Sequence, residues 1–591
     1  MTHPSAEQLR VIGAPVAPIS VVACAGSGKT YTAVHRLAQM RRQLGNHRGR
    51  VALVSFSNIA VDTFRREYQR LVESSPPGAA HNRVEIDTLD GFITGNVLRP
   101  HAYRTMGCGC TPFLIGGTEQ FLQNRDYKFW AEPMGRPAFP VSPTDLHNVV
   151  VNLHAGRPTF HLRHHSALVP INNGPSVTSR LGALGAYTHE LGRYWCHRTL
   201  TSQPNILRAL VRRYPHILID EAQDVGTVHQ AIIELLLDDG CQVSLIGDPN
   251  QGIYEFAGAN GSFLSQYGQR AGVNSLGLTR NYRSVPAILD LANRITTRED
   301  SAARAAPSTT HGVFFVPYRN SDRNNLISTF EAAIAAAGLK TEKSAVLCRG
   351  RDMANQLAGN QNAPGQGLVK SFAKAAILRD HKRDFLRAHK LVTTSIVGLL
   401  ADPPQGLIAK ITQPAGNPKY RAMCRLIWEF TRNSGTGLPA ATLSAESHWH
   451  PQLVARIRAL LDTIQRDYGI PGVENIGNKL AKRGLSNSPL FAAGNDIPRI
   501  RVDTVHQAKG ESLDAVLYLA NRDQVNALLA GVNTELGRIG YVALSRARNL
   551  FWLGLPSNAV KDLRPELIAR GFHEASAHID PGGPRTPAQT P

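Results

Sequence analysis

The chain has 591 residues, 42% hydrophobic and 19% charged, too long for one core, so about three or four domains are expected. No apolar run reaches the ~18 residues that span a bilayer, and the start Met-Thr-His-Pro-Ser-Ala-Glu-Gln has no basic and apolar leader, so a cytoplasmic protein without a membrane partner is expected. Its 65 Lys and Arg against 45 Asp and Glu give +20, favouring polyanion partners, and seven scattered Cys argue against a disulfide framework.

The first strand candidate, Ile19–Val22, runs into Ala23-Cys24-Ala25-Gly26-Ser27-Gly28-Lys29-Thr30 and then a helical pattern at Ala33, Val34, Leu37 and Met40. A strand, a small-residue loop and Lys-Thr opening a helix make a phosphate cradle. Backbone N–H groups of Ala25, Gly26, Ser27 and Gly28 point at the phosphates, Lys29 adds charge at the β- and γ-phosphates, and Thr30 holds Mg²⁺. Strand candidates follow at Val51–Ser55 and Val84–Ile86. From about 95 to 200 the chain turns rich in Gly, Pro, His and Arg and reads as an insertion. Within it, Cys108 and Cys110, and His161, His164 and His165, lack further ligands at metal spacing and read as structural or solvent-facing.

The strand candidate Ile217–Ile219 delivers Asp220-Glu221-Ala222-Gln223-Asp224. Carboxylates at a strand's C-terminal end beside a phosphate loop suit a metal ligand, Asp220, and a general base for the attacking water, Glu221. After Val243–Ile246 comes Gly247-Asp248-Pro249-Asn250-Gln251, where Gln251 is placed to bond the γ-phosphate or the lytic water. Arg283 in Asn281-Tyr282-Arg283-Ser284 and Arg546 in Leu544-Ser545-Arg546-Ala547 are candidates to reach the γ-phosphate from a second domain. Later strand candidates are Val313–Val316, Ala345–Leu347, Ile500–Val505, Ala515–Leu519 and Leu550–Leu553. Buried runs separated by helices indicate parallel α/β sheets, and two groups of them indicate two sheets. A second interruption, about 370–495, has helical patterns at Ala373–Lys390 and Leu453–Tyr468. Lys374, Arg379, Lys382, Arg383, Arg387 and Lys390 make the first strongly basic, either a solvated face or a DNA-backbone surface. The tail Asp580–Pro591 is expected to be disordered.

In order and spacing, the set resembles superfamily 1A helicases of the UvrD/Rep/PcrA type. The resemblance is carried by Ala6-Glu7-Gln8, the loop at 23–30, Ser55-Phe56-Ser57-Asn58, Thr88-Leu89-Asp90-Gly91-Phe92, Asp220 through Asp224 and Gly247 through Tyr254. It continues through Asn281-Tyr282-Arg283-Ser284, Thr504-Val505-His506-Gln507-Ala508-Lys509-Gly510 and Tyr541 through Ala547. It implies an α/β fold of two RecA-like parallel-sheet motor domains with two mainly helical insertions. These are a first motor domain at 1–94 and 201–277, an insertion at 95–200, a second motor domain at 278–369 and 496–560, an insertion at 370–495, and a tail at 561–591. It implies ATP and Mg²⁺, with Gln8 reading the adenine edge, Tyr282 stacking on the base and Glu511 near the sugar. It further implies single-stranded DNA against Phe56, Asn58, Thr88, Tyr254, Phe256 and His506, although core packing stays open for Phe56 and Phe256.

Three positions depart from the family pattern. Phe256-Ala257-Gly258-Ala259 lacks the usual Arg, Asp90-Gly91-Phe92 replaces His-Ser-Phe, and Lys509-Gly510-Glu511-Ser512 shifts an acid by one place. The last form is similar to shorter UvrD-like proteins, including helicase-like subunits of anti-phage systems such as Gabija. The implied function is an ATP-dependent helicase or translocase on single-stranded or tailed duplex DNA, with 3′→5′ polarity, in DNA repair or anti-phage defence. With no nuclease signature in the chain, any cutting is expected from a partner nuclease or other effector subunit. The alternatives are a nucleic-acid-sensing ATPase switch that regulates a partner protein, and an RNA helicase.

Overall fold

The computed structural model describes residues 3–73, 83–117, 119–154, 156–164, 167–255, 258–259, 261–305, 310–358, 363–381, 383–404, 406–412, 414, 417–490 and 500–575. Phe256, Ala257, Lys382, His165 and the tail at 580–591 lie outside them.

Helix α1 (Ala6–Gly13) opens on a capping box in which the Ser5 and Gln8 side chains each accept from the other's backbone N–H. Strand β1 (Ile19–Ala23) then leads through the phosphate loop into α2 (Lys29–Gln43). Strand β2 (Val51–Ser55), α3 (Asn58–Glu73), β3 (Val84–Thr88) and α4 (Leu89–Ile93) follow. The first insertion is helical at both ends, but it also holds an antiparallel sheet of β4 (Val149–His154), β5 (Arg157–His164) and β6 (Ala167–Pro170). Its buried Val149, Val151, Phe160 and Leu162 join the core under the first main sheet. Helices α5 (His189–Ser202) and α6 (Pro204–Arg213) return the chain to β7 (His216–Ile219), α7 (Thr227–Asp238), β8 (Gln242–Gly247) and β9 (Asn274–Leu278).

These strands form one six-stranded sheet in the order β9-β1-β8-β7-β2-β3, parallel throughout. Its inner strands are buried on both faces, so they read as mainly apolar runs. The two edge strands differ: β3 is half-buried along its length and carries Glu85 and Asp87, and β9 is polar and half-exposed (Asn274, Ser275, Gly277) and carries no apolar signal.

The chain then builds a second six-stranded sheet. After α8 (Pro286–Thr296) come β10 (Gly312–Tyr318) and β11 (Ala345–Cys348). The second interruption holds α9 (Gly367–Asp380), α10 (Phe385–Val397), α11 (Pro418–Arg432) and α12 (His450–Tyr468) around a separate apolar core. Strands β12 (Arg501–Thr504) and β13 (Leu513–Leu519), α13 (Glu535–Arg546), β14 (Ala547–Pro556) and β15 (His573–Glu574) complete the order β12-β11-β13-β14-β10-β15, again parallel.

The single basic helix expected over Ala373–Lys390 is two helices. Arg383 adopts φ +53°, and the Asp384 side chain caps a fresh start by accepting from Arg387 N. Arg379 is no DNA-backbone residue. It is 2% exposed, pairs with Asp380, and donates to the carbonyls of Thr431, Leu438 and Pro439, so it ties α9 to the loop after α11. No helix among the described residues is long and apolar enough to cross a membrane.

Candidate active site

The phosphate loop turns through left-handed glycines, Gly26 at φ +73° and Gly28 at φ +80°, which only glycine adopts without strain. Gln8 Nε2 donates to Ser27 O at 3.0 Å, so α1 is fixed on the loop. From the other side, the segment after β9 rests directly on it. Asn281 Nδ2 donates to Ala25 O at 2.7 Å and Tyr282 N to Gly26 O at 2.9 Å. A Cβ on Gly26 would stand 2.5 Å from Arg283 Cβ, so this contact also demands glycine.

Asp220 and Glu221 leave the C-terminal end of β7 beside Lys29. Asp220 is 3% exposed, and its Oδ1 has no hydrogen-bond partner. Burial, with the Glu221 charge behind it, pushes its carboxyl well above the usual range. Glu221 takes φ +53°, and its carboxylate accepts from Gln223 Nε2 at 2.5 Å. Burial raises it too, but Lys29, Lys509 and Arg546 outweigh that and hold it ionised. Gln223 Oε1 accepts from Asp248 N at 3.0 Å, joining the β7 loop to the β8 loop.

Side chains from the second sheet complete the cluster. Arg546 Nη2 donates to Gln251 Oε1 at 2.9 Å, and Gln251 Nε2 donates to Asp248 Oδ2 at 2.9 Å. Arg283 Nη1 donates to Ser545 O at 2.8 Å. Arg283 and Arg546 are both pulled below the guanidinium range, first by burial, with Arg546 adding to the effect on Arg283. Lys509 Nζ donates to Asp224 at 2.5 and 2.7 Å and to Gln251 O at 2.8 Å. Tyr541 OH donates to Asp248 Oδ2 at 3.1 Å. All six of the predicted catalytic residues, Lys29, Asp220, Glu221, Gln251, Arg283 and Arg546, therefore meet in one cleft. The links made by Lys509, Tyr541 and Arg538, which donates to Gly252 O at 2.6 Å and to Glu255 at 2.7 Å, had no assigned role in the sequence reading.

This cluster fits a nucleoside triphosphate with a divalent cation. The orphaned Asp220 Oδ1 and the buried, unpartnered Ser27 Oγ are polar atoms that a ligand would satisfy. Thr30 and Asp220 are the residues that would hold the cation. Tyr282 is half-buried with Arg280 over its ring at 5.7 Å. Glu511 differs from expectation, because its carboxylate pairs with Arg501 at 2.9 Å instead of standing free for a sugar.

Of the expected DNA contacts, Asn58 is exposed and Thr88 Oγ1 is occupied capping α4, accepting from Gly91 N at 2.9 Å. Phe56 packs partly against the core, edge-on to His229 at 5.5 Å. The Tyr254 and His506 rings lie 5.7 Å apart, tilted by 56°, with Lys509 over the Tyr254 ring at 4.9 Å. Asp90 faces inward, accepting from Arg193 through both oxygens at 2.8 and 2.7 Å and bonding His229 Nε2 at 2.9 Å. Its carboxyl lies far below the usual range: burial opposes ionisation, but the Arg193 charge and the hydrogen bonds outweigh it.

A phosphate loop on one parallel sheet, completed by arginines from a second, defines a two-part nucleotide-dependent motor of the P-loop class. A UvrD/REP helicase N-terminal domain matches residues 5–127 and 187–271, and the stretch between them contains the antiparallel sheet of the first insertion. ATP-dependent DNA helicase UvrD2 of Mycobacterium tuberculosis (strain ATCC 25618 / H37Rv) is 23% identical over 592 residues, covering 92% of this chain and 77% of the relative. DNA helicase II of Escherichia coli (strain K12) is 26% identical over 49% of this chain and 39% of its own length. ATP-dependent DNA helicase srs2 of Schizosaccharomyces pombe (strain 972 / ATCC 24843) is 36% identical over 20% of this chain and 13% of its own length. Residues 5–127 and 187–271 thus match the UvrD/REP helicase N-terminal domain, and the chain as a whole is similar to UvrD-like DNA helicases.

Proposed function

We propose that the chain is an ATP-dependent DNA helicase that translocates 3′→5′ on single-stranded DNA. The observation that carries this reading is the bridge Arg546–Gln251–Lys509–Tyr254, because it ties the hydrolytic cluster to aromatic rings outside it. In the proposed reaction, Glu221 accepts the proton of the attacking water. Lys29, Arg283 and Arg546 oppose the charge that develops on the γ-phosphate. Mg²⁺ held by Thr30 and Asp220 would supply further neutralising charge at the phosphate oxygens. Closing the cleft brings the arginines in, and hydrolysis lets them withdraw. Each cycle then moves Gln251 and the segment to Tyr254, against which His506 rests.

The division into a first motor domain (1–94 and 201–277), a second (278–369 and 496–560) and two insertions is part of this proposal. Strand displacement on 5′-tailed, 3′-tailed and blunt duplexes tests it, with ATPase assays on single-stranded DNA, duplex DNA and RNA alongside. The expected result is ATPase stimulated by single-stranded DNA and unwinding of 3′-tailed substrate. DNA-stimulated ATPase with no displacement on any tail would refute the helicase reading and leave the partner-regulating switch. Stimulation by RNA alone would refute the DNA assignment.

A further inference from the structure

The N-terminal edge of the first sheet lies opposite the nucleotide loop and carries a row of arginines with no part in the site. Arg50 N donates to Arg213 O at 2.7 Å, and Val51 N donates to Arg83 O at 3.1 Å. Arg213, Arg50 and Arg83 therefore stand side by side at the entrances of β7, β2 and β3, about 5 Å from one strand to the next. Helix α6 runs into this edge and presents exposed Arg208 and Arg212 one turn apart. Asn205 and Ala209 lie beside them on the same open face of the helix.

Among the described residues, only Arg50 of these five pairs with a carboxylate, Glu85 at 3.4 Å. Asp238 and Asp239 end α7 at the neighbouring strand β8 and form no ion pair with the row. The row thus keeps most of its charge for a polyanion. Tyr214 at the end of α6 is fully buried, and among the described residues the exposed ring beside the row is the single small imidazole of His47, whose Nδ1 accepts from Gly49 N, so the row has no track of stacking aromatics. Single-strand binders pair a basic track with stacking aromatics; arginines alone read the backbone, and a duplex presents two such backbones with its bases enclosed.

We infer that this edge is a second nucleic-acid surface, which grips the phosphate backbone of duplex DNA. It lies about 20 Å along β2 from Phe56 at the opposite edge, so one molecule can hold duplex and single strand together. The inference rests on the proposed function only for DNA being the polyanion.

The test is titration of the full chain with a blunt 30-mer DNA duplex, without nucleotide, over a range of salt. The variant is Arg208→Gln/Arg212→Gln/Arg213→Gln, and the control removes three exposed cations of the second unit, Arg522→Gln/Lys561→Gln/Arg564→Gln. An unchanged melting midpoint verifies the fold of each. The edge variant is expected to lose about tenfold or more in duplex affinity, with the slope of log K against log salt shallower by about 3, while the control loses less than about twofold. Wild-type duplex affinity and slope in the edge variant would overturn the inference. So would an equal loss in the control, or a loss confined to an RNA duplex or a poly-glutamate peptide. Failure of the motor reading is seen separately, as a wild-type ATPase that single-stranded DNA does not stimulate.

Discussion

In the first sheet the loops after β1 and β7 carry Lys29, Asp220 and Glu221, whereas Lys509 and Arg546 reach the same cleft from the second sheet's side. Both sheets are six-stranded and parallel with buried inner strands and more exposed edges, so the layout does not distinguish them. The difference lies in charge. The first unit concentrates buried carboxylates around one lysine, and the second contributes buried cations. In the joined cleft burial drives the Asp220 carboxyl up and the Arg283 and Arg546 guanidiniums down. Glu221 of the first half offsets part of the burial of both arginines but does not cancel it, so a further negative charge in the cleft, such as a bound phosphate, would be needed to settle them.

The most severe way to break the comparison is to silence the first half. Lys29→Ala should abolish ATP turnover while DNA binding measured by fluorescence anisotropy persists, because Lys29 sits in the phosphate loop and not against the Phe56 or Tyr254 faces. Turnover at the wild-type rate would show that the loop is not the catalytic site. Removing a contribution of the second half is next. Arg546→Ala should lower kcat by about 10³-fold or more, the range for a guanidinium that stabilises phosphoryl-transfer charge. Nucleotide affinity should change much less, and Arg546→Lys should not restore the rate, because one ammonium cannot replace a fork that bonds Gln251, Ser545 and Glu511 O together. A fall in affinity as large as the fall in kcat would place Arg546 in ground-state binding instead.

A third comparison sets the cleft against the junction with the first insertion. Asp90 joins α4 to Arg193 on α5 and His229 on α7, and its side chain is 23% exposed. Asp90→Asn leaves Arg193 without its bidentate partner and should lower stability by about 3 kcal/mol. The sign with pH follows from a carboxyl held below its ordinary value. The unfolded chain binds more protons than the folded one once pH drops below about 4, so the stabilisation is full at neutral pH and fades in acid. The gap between wild type and Asp90→Asn in urea melts should therefore shrink from pH 7 to pH 3. A constant gap would mean that the loss comes from packing rather than charge.

What the sequence made legible was local. A strand, a turn and the next two or three side chains are contiguous, so the loop at 23–30 and the acids at 220–224 could be read with their chemistry. The pairings across the cleft could not. Lys509 and Asp224 are 285 residues apart, and Tyr541 and Asp248 are 293, and no periodicity links such positions. The antiparallel sheet of the first insertion had a signal in Val149-Val150-Val151 and the Gly156 turn, but the Gly, Pro, His and Arg composition around it dominated the reading. Arg379 misled for a similar reason: charge in a helix reads as solvated, and only three distant carbonyls reveal that it is buried.

The finest distinction concerns Phe56, which reads equally as core and as DNA face. Its ring lies edge-on to His229 at 5.5 Å and packs partly against the core, and such aromatic pairs contribute about 0.5–1.5 kcal/mol beyond area burial. A ring that also stacks on a base would contribute about 1–3 kcal/mol to that contact. Phe56→Leu preserves most of the apolar volume but removes both ring interactions. If Phe56 is core alone, the variant should lose about 1 kcal/mol of stability and keep its affinity for single-stranded DNA. If the ring faces DNA, affinity for oligo-dT should fall about fivefold or more with a similar small loss of stability. We expect the second outcome, because Phe56 follows β2 at the C-terminal edge of the sheet, beside Asn58 and Thr88 and on the same edge as the catalytic loops. Asp90 supports that geometry from below: by holding His229 it fixes the surface against which the Phe56 ring stands, so Asp90→Asn should weaken oligo-dT binding less than Phe56→Leu does.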